Sequence, residues 1–334
     1  MTKTKSTHSP AKTSLLRRFW DMPESGIIII LIIYAIFVQI INPKFLSWLN
    51  VMNFMRQGGY ILLGGIGMTL VLIAGGLDLS VGSVLALSGV FAGFAMVNYG
   101  MPVFVGILVG MAVGMLIGLV NGLIIVRFKI PPMIMTLGMM YIARGLVYIT
   151  TLGVSVYPMP DGFKALEQSS LLGVPAVVPF AVLIAILFHF ILKRTAFGRT
   201  VYAIGGNRDT AKLSGINLSK ITVAVYIICG IMAGLTGLVY ASRLGSAQPG
   251  SGDGYEMNVI AACIIGGTST FGGRGTILGT VLGALFMSML SNSMTLMKID
   301  VNYHKLVIGV VLVLAVILDQ YKRELAEKNA VSLK

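Results

Sequence analysis

The stretch that decides the fold reads VPFAVLIAILFHFIL over residues 178–192, FGRTVYAIGGNRDTAKLSGI over 197–216 and ITVAVYIICGIMAGLTGLVY over 221–240. Two strongly apolar runs enclose one long segment that is polar, basic and interrupted by glycine. A helix crosses the hydrocarbon core of a bilayer with about 20 mostly apolar residues. The pattern therefore predicts two membrane-spanning helices joined by a hydrophilic loop.

The composition of the whole chain agrees with this interpretation. Apolar residues make up 56% of the 334 residues and charged residues only 11%, and the mean hydropathy is +0.89. About a quarter of the residues in a soluble domain are charged, so this chain could not cover a water-facing surface. The lysines and arginines behind the net charge of +13 lie between apolar runs, not on one polar face with aromatic residues, which argues against a nucleic-acid partner.

Ten apolar runs predict an all-α, polytopic integral membrane protein with about ten transmembrane helices. Helices are expected because backbone groups in lipid must be satisfied within the segment. The predicted organisation is an N-terminal tail over 1–25, a transmembrane domain over 26–320 that includes the loop 193–220, and a C-terminal tail over 321–334. The runs lie at 26–41, 60–76, 82–98, 102–126, 131–150, 174–192, 221–241, 257–271, 276–292 and 304–320.

The distribution of positive charge predicts the orientation. If successive loops alternate between the two sides, 18 of the 25 lysine and arginine residues lie on the side of the N-terminus. Cytoplasmic loops carry the excess of Lys and Arg in membrane proteins. We therefore expect both termini and the loop 193–220 to be cytoplasmic.

Two segments interrupt the helical pattern, IAGGLDLSVGSV at 73–84 and IIGGTSTFGGRGTILG at 264–279. Each has a Gly-Gly pair, five residues and another glycine before an apolar run. Such paired breaks indicate discontinuous or re-entrant helices and a duplicated architecture. Asp78 is equally suited to cap the helix that follows it. Polar residues at the first break and around the eighth run, 257–271, are candidates to line a path for a polar solute: Asp78 and Ser80 at the break, and Gln248 and Asn258 by the run.

No pattern for covalent chemistry stands out. GTSTFGGRGT at 267–276 lacks the lysine and hydroxyl pair of a phosphate-binding loop. The three histidines have no second ligand at a metal-like spacing. The sequence therefore predicts no catalytic residue, no metal site and no cofactor in this chain.

The loop at 197–216 carries the signals of a short helix. Asn207 is a residue type that caps helix N-termini, Asp209 suits the first turn, and Gly215 suits a helix end. The signals predict a helix of about two turns, which is unstable alone and needs a protein partner.

These residues closely resemble the permease subunit of bacterial ATP-binding-cassette importers for monosaccharides, the ribose-type family. The resemblance covers nearly the whole chain and is densest at 67–89, 197–216, 241–284 and 319–323. It implies a subunit of the bacterial inner membrane that pairs with itself or with a paralogue. It also implies a cytoplasmic ATPase subunit, which uses the ATP, and a periplasmic sugar-binding protein.

The resemblance further implies roles for individual residues. Asp253 and Glu256 are expected to dock the binding protein. Thr210 stands where the family often has alanine, a minor departure. The family's ATPase-coupling pattern is matched by Gly198, Arg199, Ala203, Gly205, Asn207, Ala211, Ser214, Gly215 and Ile216.

Two other functions stay open on the sequence. One is a permease for branched-chain amino acids or nucleosides of the same superfamily. The other is a stand-alone, ion-coupled transporter, which commonly holds charged residues within its spans as relays. Such residues are sparse here, which argues against the second alternative.

Overall fold

The structure, a computed structural model of the chain, describes residues 24–332, without the side chains of 322–323 and 325–332. The predicted N-terminal tail at 1–25 thus lies almost entirely outside the described residues. Over the described range the chain forms thirteen α-helices and one two-stranded antiparallel sheet.

The helices are α1 (Ser25–Ile41), α2 (Trp48–Ile73), α3 (Val81–Gly93), α4 (Val103–Phe128), α5 (Pro132–Thr151), α6 (Asp161–Gln168), α7 (Val177–Arg194), α8 (Ala196–Gly206), α9 (Arg208–Leu213), α10 (Leu218–Leu244), α11 (Tyr255–Ile265), α12 (Ile277–Leu296) and α13 (Val301–Ser332). A π-helical turn, Phe94–Asn98, continues α3. Strand β1 (Ser170–Leu171) pairs with β2 (Val174–Pro175).

The predicted all-α, polytopic architecture is confirmed. Among the described residues, eight helices are long and apolar enough to cross a membrane. Two shorter apolar helices, α1 and α11, correspond to the first and eighth predicted runs. Loop 193–220 is not a simple connector, because it contains α8 and α9.

Two helix boundaries differ from the prediction. Helix α2 begins at Trp48 and not near residue 60. Its first turns contain polar residues that hydropathy counts against a span, yet Asn50 Nδ2 donates to Phe45 O at 2.7 Å and to Asn292 Oδ1 at 2.8 Å. At the other end of the chain, α13 continues past residue 320 to Ser332, so most of the predicted C-terminal tail is helical.

The core of the bundle lies around α2 and α10, and α10 packs against α2, α3 and α4. Glycines allow the closest approach between α4 and α10. A Cβ atom on Gly114 would overlap the carbonyl oxygen of Gly230, and one on Gly118 would overlap that of Tyr226. Small residues at such contacts let membrane helices come together at backbone distance.

Helix α11 is a half-length helix that starts inside the bundle. The hydroxyl of Tyr255, its first residue, donates to Tyr60 O at 2.7 Å. Tyr60 lies about 18 Å along α2 from Trp48, at 1.5 Å per residue. The preceding loop is held at this depth by Arg144, whose Nη1 donates to Pro249 O at 2.8 Å and to Ser251 O at 2.7 Å. The segment before α11 is therefore re-entrant.

Candidate functional site

The short helix predicted at 207–215 is present as α9. Asn207 is its N-cap, and its side chain accepts a hydrogen bond from Thr210 N at 2.9 Å. Gly215 ends the helix with φ +78°, and Ile216 N donates back to Ala211 O at 3.1 Å. Left-handed glycine with this bond is a common helix C-terminus. Both ends of α9 therefore follow from residue types that sequence alone identifies.

Helix α9 projects from the bundle. Ala211 is buried, whereas Leu213 is 89% exposed and Ser214 is also exposed. An isolated leucine on a surface needs no explanation. Leu213, however, belongs to a helix of only six residues in which Ala211 is the buried residue, so α9 packs little apolar surface against the bundle. The helix thus offers an apolar side chain to the surroundings at this end of the bundle.

Helix α8 connects α9 to the membrane bundle through close backbone contacts. A Cβ atom on Gly198 would overlap the backbone of Leu192 in α7, and one on Gly205 would overlap the carbonyl oxygen of Ile73 at the end of α2. Of the other predicted coupling residues on α8, Arg199 is exposed and Ala203 is half-buried. Gly198 and Gly205 match the family's ATPase-coupling pattern in the sequence, but the residues that they contact are known only from the folded chain.

The two predicted breaks meet α8 at one place. Gly273 N, in the loop between α11 and α12, donates to Ile73 O at 2.8 Å. A Cβ atom added to Gly272 would overlap the backbone of Gly205, so the two backbones are in close contact. We call this site, where Ile73 O meets Gly205 and Gly273 and where Gly272 packs against Gly205, the glycine junction. It joins loop 193–220 to both breaks.

Tyr202 adds a side-chain contact beside the glycine junction. Its hydroxyl donates to Gly275 O at 2.7 Å. Burial raises the pKa of this phenol, so it stays protonated and can donate throughout the physiological pH range. Helix α8 is therefore held to the loop after α11 by both backbone and side-chain contacts.

The two breaks have the same local geometry. After α2, Gly75 N donates to Leu72 O and Gly76 N to Val71 O, each at 2.9 Å. After α11, Gly267 N donates to Ile264 O at 2.8 Å and Thr268 N to Cys263 O at 2.9 Å. Gly75 and Gly267 are both left-handed, with φ +76° and +88°. The same bond pattern with a left-handed glycine also ends α9 at Gly215, so it is a common helix end, and the duplication stays a prediction.

The polar residues of the first break are enclosed. Asp78 is 1% exposed and Ser80 is 0% exposed. Asp78 Oδ1 accepts from Ser80 N at 2.9 Å and from Ser80 Oγ at 2.6 Å, and Asn121 Nδ2 donates to Ser80 Oγ at 3.1 Å. Ser80 is the N-cap residue of α3 and makes no side-chain capping bond. Asp78 thus orders the turn before α3 rather than capping its first amide groups.

The predicted site residues around α11 differ in how exposed their side chains are. Gln248 is exposed, and Asn258 is half-buried with its Nδ2 donating to Gly254 O at 3.0 Å. Asp253 is exposed and pairs with Lys305 Nζ at 3.0 Å. Glu256 is only 9% exposed and lies against Gly82 at the start of α3. Glu256 does not present its carboxylate to the surface in this structure.

A buried polar cluster that no sequence pattern predicts lies near the end of the bundle opposite α9. Glu167 is fully buried in α6, and its Oε1 accepts from Tyr60 OH at 2.6 Å and lies 2.9 Å from Arg56 Nε. Ser242 Oγ accepts from Glu167 N at 3.1 Å. The cluster fixes α6 onto α2 and α10. The strongly amphipathic sequence DGFKALEQ is the signal that indicates α6, and it lies outside the ten apolar runs.

One exposed ion pair lies on α6 as well. Lys164 Nζ is 2.6 Å from Asp161 Oδ1, and this hydrogen bond lowers the pKa of the Asp161 carboxyl group. Among residues 24–332, no group of three or more His, Cys, Asp or Glu side chains could hold a metal ion.

The fold and the site define a class: a polytopic helical membrane protein with two matched helix breaks that meet a short projecting helix at one end. Residues 50–316 match the family described as branched-chain amino acid transport system / permease component. The chain belongs to this family of transport permeases.

Individual relatives span almost the whole chain. The ribose import permease protein of Bacillus subtilis (strain 168) is 41% identical over 303 residues, which cover 90% of this chain and 94% of the relative. The D-allose transport system permease protein of Escherichia coli (strain K12) is 35% identical over 319 residues, which cover 96% of this chain and 98% of the relative. The L-arabinose ABC transporter permease protein of Azospirillum brasilense is 36% identical over 302 residues, which cover 90% of this chain and 88% of the relative. No solved structure matches the chain.

Proposed function

We propose that this chain is the permease subunit of an ATP-binding-cassette importer that moves a monosaccharide, such as ribose or a related sugar, across the inner membrane. The observation that carries the proposal is the near full-length similarity to permeases named for ribose, D-allose and L-arabinose. This similarity favours a sugar over the branched-chain amino acids in the family description or nucleosides.

The energy is proposed to come from a separate ATPase that docks on α9 and uses the ATP, with no cofactor bound by this chain. The exposed Leu213 and Ser214 suit a docking contact, because a short amphipathic helix can lie in a groove of a partner protein. The contacts of α8 with Ile73 and Gly275 would carry movement of α9 into the bundle.

The orientation follows from charge and is part of the proposal. Loop 193–220, which contains α8 and α9, carries six of the lysine and arginine residues and is placed in the cytoplasm with both termini. The end of the bundle that carries α6 then faces the periplasm. We propose that a sugar-binding protein docks there on Asp253. The burial of Glu256 makes it unsuitable for direct docking in this conformation.

The solute path is proposed to form with a second permease subunit, either a copy of this chain or a paralogue. A neutral sugar needs hydrogen-bonding groups with little charge along its path. Gln248 and Asn258 are accessible enough to serve directly. Asp78 and Ser80 are bonded to each other, so they must first separate if they are to contact solute.

Co-purification tests the ATPase contact. Leu213→Asp places a charge on the exposed face of α9, and we expect it to lower recovery of the ATPase with the permease about tenfold or more, because an apolar contact becomes a buried charge. Leu172→Asp is the matched control, since Leu172 is 95% exposed and lies before β2, at the other end of the bundle. Undiminished recovery with Leu213→Asp would contradict the docking assignment.

Proteoliposomes separate this proposal from a stand-alone transporter. Vesicles that contain the chain with its ATPase and binding protein should accumulate ribose only when ATP is supplied. Vesicles that contain the chain alone should not accumulate it. Accumulation by the chain alone, driven by an ion gradient, would overturn the proposal.

A further inference from the structure

Asp319 forms a concentrated contact between α13 and the loop that follows α11. Its Oδ2 atom accepts from Ser269 Oγ at 3.2 Å, from Thr270 N at 3.1 Å and from Thr270 Oγ1 at 3.2 Å. Hydrogen bonds to an ionised carboxylate are about twice as strong as neutral ones. The proposed function above assigns no role to this residue.

The rest of α13 is attached loosely to the bundle. Its membrane-spanning window contains no buried residue, and it packs chiefly on α11. Its other polar tie in the described structure is the exposed pair of Lys305 and Asp253, a type of contact that contributes little. Asp319 is thus the main polar link between α13 and the bundle at the α9 end.

The loop that Asp319 contacts is also the one that meets α8 of loop 193–220. Gly273 of this loop donates to Ile73 O beside Gly205, and Gly275 accepts from Tyr202 of α8. A displacement of α8 must therefore either break these contacts or move the loop. If the loop moves, the bonds from Ser269 and Thr270 move Asp319 with it.

Among the described residues, an open cleft adjoins α13. A cavity of about 840 Å³ lies between α1, the loop after α11 and α13, and its walls include Ile30, Phe286 and Leu314. Asp319 and Arg274 line the same cavity. Helix α13 packs on α11, which carries Asn258 of the proposed solute path.

We propose that Asp319 is a positioning residue that ties α13 to the loop after α11, so that movement of α8 is passed to α13 and from there to the solute path. The proposal rests on the proposed function, since it requires an ATPase that moves α8. It adds a second route into the bundle, beside the direct contact of Gly205 with α2.

The test uses the complete complex in proteoliposomes, with ribose as the probe. Asp319→Leu removes the acceptor, and we expect the amount of ribose transported per ATP hydrolysed to fall about tenfold, the loss of roughly one or two charged hydrogen bonds. Asp319→Glu keeps the carboxylate and should recover most of that ratio. Asp300→Leu is the matched control, because it also removes a carboxylate acceptor from an end of α13, where, within the described structure, Asp300 Oδ1 accepts only from Asn302 N of the same helix.

A distance measurement distinguishes positioning from mere stability. Spin labels on Tyr321→Cys in α13 and Lys193→Cys in α7 report movement of α13, and the native Cys229 and Cys263 are buried and do not interfere. We expect ATP to change this distance in the otherwise unaltered complex and in the Asp300→Leu complex. The change should be absent with Asp319→Leu.

Two results would overturn the inference. One is an unchanged transport-to-ATP ratio in Asp319→Leu. A parallel fall in protein abundance, ATP hydrolysis and transport leaves this ratio unchanged and would show a purely structural role. The other is an ATP-driven change in the label distance that persists in Asp319→Leu. If the complex with native Asp319 transports no ribose, D-allose or L-arabinose, the proposed function fails instead, while the label distance still reports whether α13 moves.

Discussion

Gly205 lies where α8 meets the carbonyl oxygen of Ile73, and its neighbour Gly206 faces open space. The two residues form a natural pair for testing the glycine junction. Both lie in the last turn of α8, so alanine at either position changes helix propensity in the same direction. The difference between their alanine variants therefore reports the contact alone.

We expect Gly205→Ala to lower transport strongly and to destabilise the protein by about 1–3 kcal/mol, because the added Cβ meets backbone that cannot rotate away. Gly206→Ala should behave like the native protein. Sugar uptake and the apparent melting temperature in detergent measure the two effects. Equal behaviour of the two variants would show that the junction is not tightly packed.

The structure also shows where single-residue reasoning from sequence has limits. Asp78 was a candidate both for solute contact and for helix capping, and the fold places it in a turn bonded to Ser80. No sequence pattern points to Glu167, yet its side chain is fully buried against Arg56 and Tyr60. The partners of the Glu167 carboxylate, Arg56 and Tyr60, lie far from it in the chain, so only the folded structure shows that it is buried and bonded.

At the scale of elements, α9 and α10 begin with the same cap but differ in length. Asn207 caps a helix of 6 residues and Asn217 caps one of 27 residues, with bonds of 2.9 Å to Thr210 N and 3.0 Å to Lys220 N. A short helix depends on its cap far more than a long one that is packed in a bundle.

We therefore expect Asn207→Ala to weaken ATPase association about fivefold, from the loss of about 1 kcal/mol of helix stability. Asn217→Ala removes an equivalent bond and should leave association nearly unchanged. A binding titration with the purified ATPase measures both. A larger effect of Asn217→Ala would mean that α9 is not the docking element.

The contact of α4 with α10 makes a second prediction at this scale. Gly114→Ala should lower the stability of the bundle by roughly 1–3 kcal/mol, because its Cβ would overlap Gly230 O. Gly145→Ala in α5, where nothing lies within 4 Å, should be neutral or slightly stabilising. Thermal unfolding in detergent compares the variants. Similar melting temperatures would place the two helices further apart than the structure does.

At the scale of the whole molecule, the orientation of the bundle is testable with two exposed leucines. Leu213 and Leu172 are 89% and 95% exposed and belong to opposite ends of the bundle. We expect a membrane-impermeant maleimide to label Leu172→Cys in cells whose outer membrane has been permeabilised. It should label Leu213→Cys only after the inner membrane is opened. The native chain is the control, since Cys229 and Cys263 are buried. The reverse pattern would invert the proposed topology.

Much of the architecture was predictable because lipid imposes strong constraints on a sequence. Apolar runs of sufficient length must be helices in a membrane, and all ten runs became helices or half-helices. The boundaries of α2 and α13 were less predictable. Hydropathy measures the transfer of a residue from water to lipid. The side-chain amide of Asn50 in α2 instead hydrogen-bonds to Asn292, so hydropathy places the start of this helix too late.

The sequence by itself determined the membrane class, the two helix breaks and the short helix between Asn207 and Gly215, because composition, glycine pairs and capping residues act locally. Only the tertiary structure decided that both breaks meet at Ile73 and Gly273, that Glu256 is buried, and that Asp319 holds the loop after α11. These contacts join residues far apart in the chain, and their geometry depends on how closely glycine lets the helices pack.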